Sequence, residues 1–180
     1  VTLRHSSTSF TVITGHEDPD KGDEVNWEAA AQLGGTIIIL MGVGRLPKIV
    51  DRLLAGGLAP DTPAAAIRWG TRPEQHTVRS TLSAIAREPL ESPSVIVVGQ
   101  VAAMDLSWFE SRPLFGKKVI VTRPRHQSSV LADRLRDEGA EALMVPTIEI
   151  VDPTDQGTAL RSSIDHLSSY DWLVLTSANG

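Results

Sequence analysis

The stretch Gly34-Gly-Thr-Ile-Ile-Ile-Leu-Met-Gly-Val-Gly-Arg-Leu-Pro47 decides the fold class. Its centre, Thr36–Met41, is a β-rich apolar run bounded by Gly34-Gly35 and by Gly42 and Gly44, the signature of a buried strand between turns. Beyond it Leu46, Ile49, Val50, Leu53 and Leu54 recur at helical spacing. Pro47 suits the first turn, where its missing N–H is harmless, and Gly56-Gly57 supplies a stop. A strand that feeds a glycine turn and then an amphipathic helix belongs to an α/β architecture.

The alternation continues outward. Ala64–Trp69 reads as a strand, and a turn then leads to an extended piece at His76–Arg79. Leu82–Arg87 reads as a helix ended by Glu88-Pro89, and Val95–Val98 as a buried strand before Gly99. Strand spacings vary here and one strand lies in a polar stretch, so a mixed sheet with helices is expected. A second series starts at Lys118–Thr122, a strand, followed by a helix over Ser128–Glu138 with Leu131 and Leu135 on one face. Gly139 sits where a helix C-terminal glycine is expected. Ala142–Val145 reads as a strand running towards Ile148–Ile150. Leu160, Ile164 and Leu167 mark a helix, and Asp171–Leu175 a last strand. This βαβαβ order predicts a parallel sheet with right-handed crossovers. Between the two series, Leu106–Gly116 has no clean period, so the boundary falls near Arg112, giving units 1–111 and 112–180. Trp108, Phe109 and Phe115 are expected to pack there, which makes the join something other than a flexible linker.

Length and composition narrow the function. The 180 residues allow one good core or two small ones, and 41% hydrophobic with 22% charged residues is ordinary globular composition. A net charge of −5 with scattered Lys and Arg provides no nucleic-acid footprint. An anionic small substrate would therefore need a local positive site. The absence of cysteine excludes disulfides and thiolate metal sites and is compatible with a reducing compartment. The longest apolar run is far shorter than a membrane span, and Val1–His5 has no apolar signal core, so no membrane association is expected. Val1 is not an initiator methionine, and the chain stops just after a strand pattern, so a fragment is expected.

Several motifs compete with plainer readings. Gly42-Val-Gly44-Arg-Leu-Pro47 imitates a dinucleotide fingerprint, with Asp61 further on, but Pro47 stands where the third glycine is needed. A tight strand-to-helix turn is the better reading of the pattern. Gly116-Lys-Lys118 lacks the rest of a phosphate loop. In His16-Glu-Asp-Pro-Asp20, Pro19 breaks any helical face and the other histidines show no ligand spacing, so a solvated loop and no metal are expected. Thr122-Arg-Pro-Arg125 at a strand end sets two guanidinium groups near a helix N-terminus, suited to carboxylates, although a surface turn with ordinary arginines is an equal reading.

From Val1 to about Phe109 the chain resembles the C-terminal lobe of the uroporphyrinogen-III C-methyltransferases. The resemblance rests on Val12-Ile-Thr-Gly-His16, Trp27-Glu28, Ile39-Leu-Met-Gly42, Thr62-Pro63, Ile67-Arg-Trp-Gly-Thr71, Gln75 and Val97-Val-Gly-Gln-Val101, in the family's order. It implies that Met41 and Gly70 contact S-adenosylmethionine, with S-adenosylhomocysteine as product. The family's opening Val-Thr-His-Arg-Gly is Val1-Thr-Leu-Arg-His5 here, so Arg4 remains as a substrate-facing candidate without its neighbours. The family's N-terminal lobe, with its Gly-Pro-Gly-Asp loop and proposed acid–base residues, has no counterpart, and no catalytic residue is assigned.

From about Pro113 the chain resembles the first part of uroporphyrinogen-III synthase, through Leu114–Pro124, Pro146-Thr-Ile-Glu-Ile150 and Tyr170–Gly180. That resemblance implies substrate-facing positions at Thr122, Arg123, Ser177 and Asn179. Together the two imply a bifunctional tetrapyrrole-biosynthesis enzyme that closes hydroxymethylbilane to uroporphyrinogen III and methylates it to precorrin-2. A cytoplasmic homodimer acting on a small-molecule tetrapyrrole is expected, with weak or no turnover by this chain alone. The competing expectations are a non-catalytic S-adenosylmethionine-binding module and an unrelated nucleotide-binding α/β protein.

Overall fold

The computed structural model describes residues 2–4, 6–15, 25–123, 125–149 and 151–176. Five strands, β1 (Phe10–Thr14), β2 (Thr36–Leu40), β3 (Pro63–Arg68), β4 (His76–Thr81) and β5 (Ser94–Val98), form one sheet in the order β1-β2-β5-β3-β4. β1 and β2 run parallel, whereas β5 is antiparallel to both β2 and β3, and β4 to β3. The mixed sheet expected from the sequence is therefore present. Its topology has a consequence for function: β1, β2 and β3 all end on the edge where β4 and β5 begin.

Side-chain alternation sorts the two faces. Ile37 and Ile39, Ala64 and Ala66, and Ile96 and Val98 are buried on one face. They pack against Leu46, Ile49, Val50 and Leu53 of α2 (Leu46–Ala55), with Trp27 and Ala31 of α1 (Trp27–Gln32) and Leu82 and Ile85 of α3 (Leu82–Ile85). Helix α1 is too short to be legible as a period. Asn26 starts it, its side-chain oxygen accepting the Ala29 N–H at 2.9 Å, and Glu28 pairs with Arg52 of α2 at 3.0 and 3.1 Å. Strand β1 also escapes the sequence pattern. It is an edge strand in a Ser/Thr-rich stretch whose residues alternate only between exposed and half-buried.

In the second series β6 (Lys118–Val121) and β7 (Glu141–Met144) pair in parallel, connected by α4 (Arg125–Asp137). Their small core is Val121, Ala132 and Ala142, with Leu135 against it. Gly139 has φ +94° directly after α4, the left-handed C-terminal position its sequence context predicts. Helix α5 (Thr158–Asp165) and a 3-10 turn follow.

Two expectations are corrected here. β7 stops at Met144, so Ile148 is not in a strand, and Asp171–Leu175 forms no strand either. Trp172 is 87% exposed and Leu173, Val174 and Leu175 are exposed beside it. A strand pattern supplies an apolar face but not a ladder partner, and among the described residues no paired edge or helix face covers that stretch. α5 likewise buries none of its residues.

The join is packed, as its aromatic residues predict. Phe109 is buried and meets Trp108 and Phe115 edge-to-face at centroid distances of 5.6 and 5.8 Å. The Arg112 guanidinium lies 4.9 Å from the Trp108 ring centroid and 5.0 Å from that of Phe109. The Leu114 N–H donates to the Glu138 carbonyl at 2.9 Å, and Lys118 lies 3.4 Å from Glu74 and 3.0 Å from Glu141. No helix among the described residues is long and apolar enough to cross a membrane.

Candidate functional site

The edge where β1, β2 and β3 end concentrates the unusual backbone. Among the described residues, Met41 (φ +55°), Trp69 (φ +52°), Thr71 (φ +64°) and Gln156 are the non-glycine residues in the left-handed region. The first three all lie on this edge. Each costs on the order of 1–3 kcal/mol and persists only where its surroundings over-determine it, a pattern found at ligand sites. Met41 ends β2 with its side chain exposed. Behind it the β1 and β2 termini close on each other: Gly15 N–H donates to the Leu40 carbonyl at 2.7 Å, and a Cβ on Gly15 would lie 2.6 Å from the Gly42 Cα.

Gly70 sits on the loop between β3 and β4. Thr71 N–H donates to Gln75 Oε1 at 2.6 Å, and the Thr71 hydroxyl donates to the Gly70 carbonyl at 2.6 Å. The Gln75 amide and the Thr77 hydroxyl both donate to Glu110 Oε1, the latter at 2.9 Å. Arg72 stacks over Trp69 at 5.0 Å. Gly70, Thr71, Gln75 and Arg79 open onto a cavity of about 310 Å³ whose apolar walls include Ile67, Val97 and Trp108. It lies on the sheet face that α1, α2 and α3 leave free. An apolar cavity with a few converging polar groups suits a small, partly planar ligand.

Met41 and Gly70 thus share one edge, with β5 between their strands, a separation of about 10 Å from two strand spacings. A ligand that touched both would lie across the start of β5. Arg4 is not brought there. Its turn is tied by Ser7, whose hydroxyl meets Thr36 at 2.8 Å, to the start of β2 and therefore to the opposite edge. Thr122 and Arg123 follow β6, both exposed, with the Thr122 carbonyl accepting from Thr147 N–H at 3.3 Å. Ser177, Asn179 and the His16–Asp20 loop lie outside the described residues. Sequence reasoning missed Thr77 and Glu110 altogether. No local pattern marks Glu110, which bonds groups 33 and 35 residues away.

Charge organises the join. Burial pushes the Glu110 carboxyl up, but its own backbone N–H, Gln75, Thr77 and Arg79 outweigh it and hold the group below its ordinary value. Glu74 is held low first by its own backbone N–H and then by Lys118 and Arg72. Asp105, 3.5 Å from Arg79, is held low mainly by Ser107. A carboxyl lowered in the folded state contributes stability above its unfolded value, and this is lost as pH falls through the folded one. The urea midpoint is therefore expected to fall between about pH 5 and 3. The Glu110→Gln chain should show a shallower fall; identical pH profiles would remove Glu110 from the account.

Comparison with known proteins matches two families along the chain. Residues 1–86 match the tetrapyrrole (corrin/porphyrin) methylases, and residues 129–180 match uroporphyrinogen-III synthase HemD. A porphyrin biosynthesis protein HemD from Ruminiclostridium josui is 37% identical over 185 residues, covering 99% of this chain and 36% of that protein. A uroporphyrinogen-III C-methyltransferase from Bacillus subtilis is 36% identical over 152 residues, covering 81% of this chain and 32% of that one. The chain thus spans about a third of the length of these relatives. The crystal structure of a Thermus thermophilus uroporphyrin-III C-methyltransferase with S-adenosyl homocysteine superposes with a TM-score of 0.51 at 25% identity, covering 57% of this chain and 44% of that one.

Proposed function

We propose that this chain, in which tetrapyrrole-methylase sequence passes into uroporphyrinogen-III synthase sequence, is part of a bifunctional enzyme of tetrapyrrole biosynthesis. The observation that carries the reading is the order of the two matches along one polypeptide, 1–86 and then 129–180. In the parent protein the synthase part closes hydroxymethylbilane to uroporphyrinogen III. The methylase part transfers methyl groups to that product, giving precorrin-2. The two units meet at residues 111 and 112, inside the Trp108–Phe115 aromatic cluster.

S-adenosylmethionine, when bound, supplies an electrophilic methyl group on a sulfonium. This chain's contribution is to hold it. Met41 and Gly70 present backbone at the strand-end edge, and the adjoining apolar cavity keeps water from one side of the adenosyl group. Left-handed backbone at Met41 turns its peptide groups out of the sheet ladder, where a ligand can use them, whereas the Thr71 N–H is taken up by Gln75. Tetrapyrrole carboxylates are met by Arg4, Thr122, Arg123, Ser177 and Asn179. Arg4 is placed at the opposite edge from Met41, so it serves a substrate arm and not the donor. The net charge of −5 favours a small-molecule substrate over nucleic acid, because only local cations can attract an anion. We place the parent in the cytoplasm as a homodimer. The exposed apolar side chains between Ile120 and Leu175 support self-association.

Titration calorimetry of the 180-residue chain with S-adenosylhomocysteine tests the donor site. Binding in the micromolar range is expected; no heat at millimolar ligand overturns the donor-binding reading. NAD and ATP are expected to give no thermal stabilisation, and a shift with either would favour an unrelated nucleotide-binding protein.

A further inference from the structure

We infer that Glu110, from the segment that joins the two units, positions the Gly70 loop for the methyl donor and so couples the join to donor binding. This rests on the reading that Gly70 contacts the donor. Between Trp69 and Gln75 the chain is irregular and holds two left-handed residues, Trp69 and Thr71, yet its own backbone supplies only Arg72 N–H to Trp69 C=O at 3.0 Å and Gln75 N–H to Arg72 C=O at 2.9 Å. Such a conformation needs outside support. Gln75 provides it by accepting the Thr71 N–H at 2.6 Å. A glutamine side chain, however, is ambiguous, because its oxygen and nitrogen are nearly the same size.

Glu110 removes the ambiguity. An ionised carboxylate only accepts hydrogen bonds, so the Gln75 nitrogen must face it and the Gln75 oxygen must face Thr71. Thr77, at the start of β4, donates to the same carboxylate oxygen and fixes where it sits. The other oxygen, Oε2, is buried without a hydrogen-bond partner among the described residues. The bonds to Oε1 and the nearby Arg79 offset the lost solvation, so the group stays an ionised, acceptor-only carboxylate facing Gln75. Lys118 of β6 adds a second tie to the same loop through Glu74 at 3.4 Å. The loop that carries Gly70 is therefore held by Gln75 and by Thr77 of β4, and in addition by Glu110 and Lys118 from beyond its own sheet.

The experiment compares wild type, Glu110→Ala and Glu110→Gln in the 180-residue chain. It measures S-adenosylhomocysteine affinity by calorimetry and Thr71 amide exchange by NMR. Glu110→Ala is expected to weaken binding about tenfold and to speed Thr71 exchange at least as much, the effect of one lost buried hydrogen bond. Glu110→Gln, whose side chain can turn either its oxygen or its amide towards Gln75, should restore only part of both. Unchanged affinity and unchanged exchange in Glu110→Ala overturn the inference. If wild type takes up no S-adenosylhomocysteine, the donor reading fails, and faster Thr71 exchange in Glu110→Ala alone still upholds the positioning role. Should Glu110→Ala not fold, Thr77→Val takes its place, because it removes the second donor to the Glu110 carboxylate and leaves the Gln75–Thr71 bond itself in place. Faster Thr71 exchange there supports the inference, and unchanged exchange overturns it.

Discussion

Combining Ile39→Ala with Gly42→Ala should cost distinctly less stability than the two single changes added together. Ile39 is fully buried near the end of β2, and trimming it to alanine removes three side-chain carbons from a packed core, which costs about 2–5 kcal/mol. Gly42 fails for the opposite reason. A Cβ there would lie 2.6 Å from Ile39 Cγ2, with Ile49 Cδ1 at 3.4 Å and Ile96 Cδ1 at 3.6 Å. The nearest of these belongs to a branched, buried side chain that cannot swing aside, so overpacking of about 1–3 kcal/mol is expected. In the double variant the clashing Cγ2 is gone and the new methyl group partly fills the space it left. A favourable coupling of about 1 kcal/mol or more should appear in a urea-denaturation cycle, as for residues in direct contact. Additive behaviour would mean that the turn behind Met41 does not rest on Ile39.

Gly70→Ala should weaken S-adenosylhomocysteine binding at least about tenfold, equivalent to about 1.4 kcal/mol, while leaving stability almost untouched. The two halves of this expectation have separate causes. The Gly70 backbone is not in the left-handed region, and a Cβ there would find Ile67 Cγ2 at 3.5 Å and Gln75 Oε1 at 3.9 Å, both ordinary contacts. Alanine at a compatible position even restricts the unfolded chain, so a stability change within about 1 kcal/mol is expected. The protein interior therefore gives no reason for glycine at this position. What remains is the cavity side, where a methyl group would occupy the space in which a ligand approaches backbone. Calorimetry and thermal unfolding on the same sample separate the two effects. Unchanged affinity would remove Gly70 from the donor site, and a large loss of stability would make its role one of folding.

The elements that could be read from sequence are those with a local physical signal. β2 and α2 carry an uninterrupted apolar run and a helical stripe, closed by Pro47 and Gly56, and both stand where expected. β4 was legible despite its polar residues because a turn precedes it. β1 and α1 were not, since an exposed edge strand and a six-residue helix have too few buried positions to show a period. The reading of Asp171–Leu175 as a strand shows the reverse case. Its apolar character is real, but a strand exists only when a neighbour accepts its ladder, and none does among the described residues.

By itself, then, the sequence determined the strand and helix around Gly34–Pro47 and the Trp108–Phe115 aromatic cluster, because each is written in residues close together along the chain. Only the tertiary structure decided that Met41 and Gly70 share one edge and that Arg4 is tied to the other. That follows from β5 inserting antiparallel between β2 and β3, a choice of strand order that no local period encodes. The same holds for the relay from Thr71 through Gln75 to Glu110. Its last contact spans 35 residues, and a bond made across that distance exists only after the sheet has assembled.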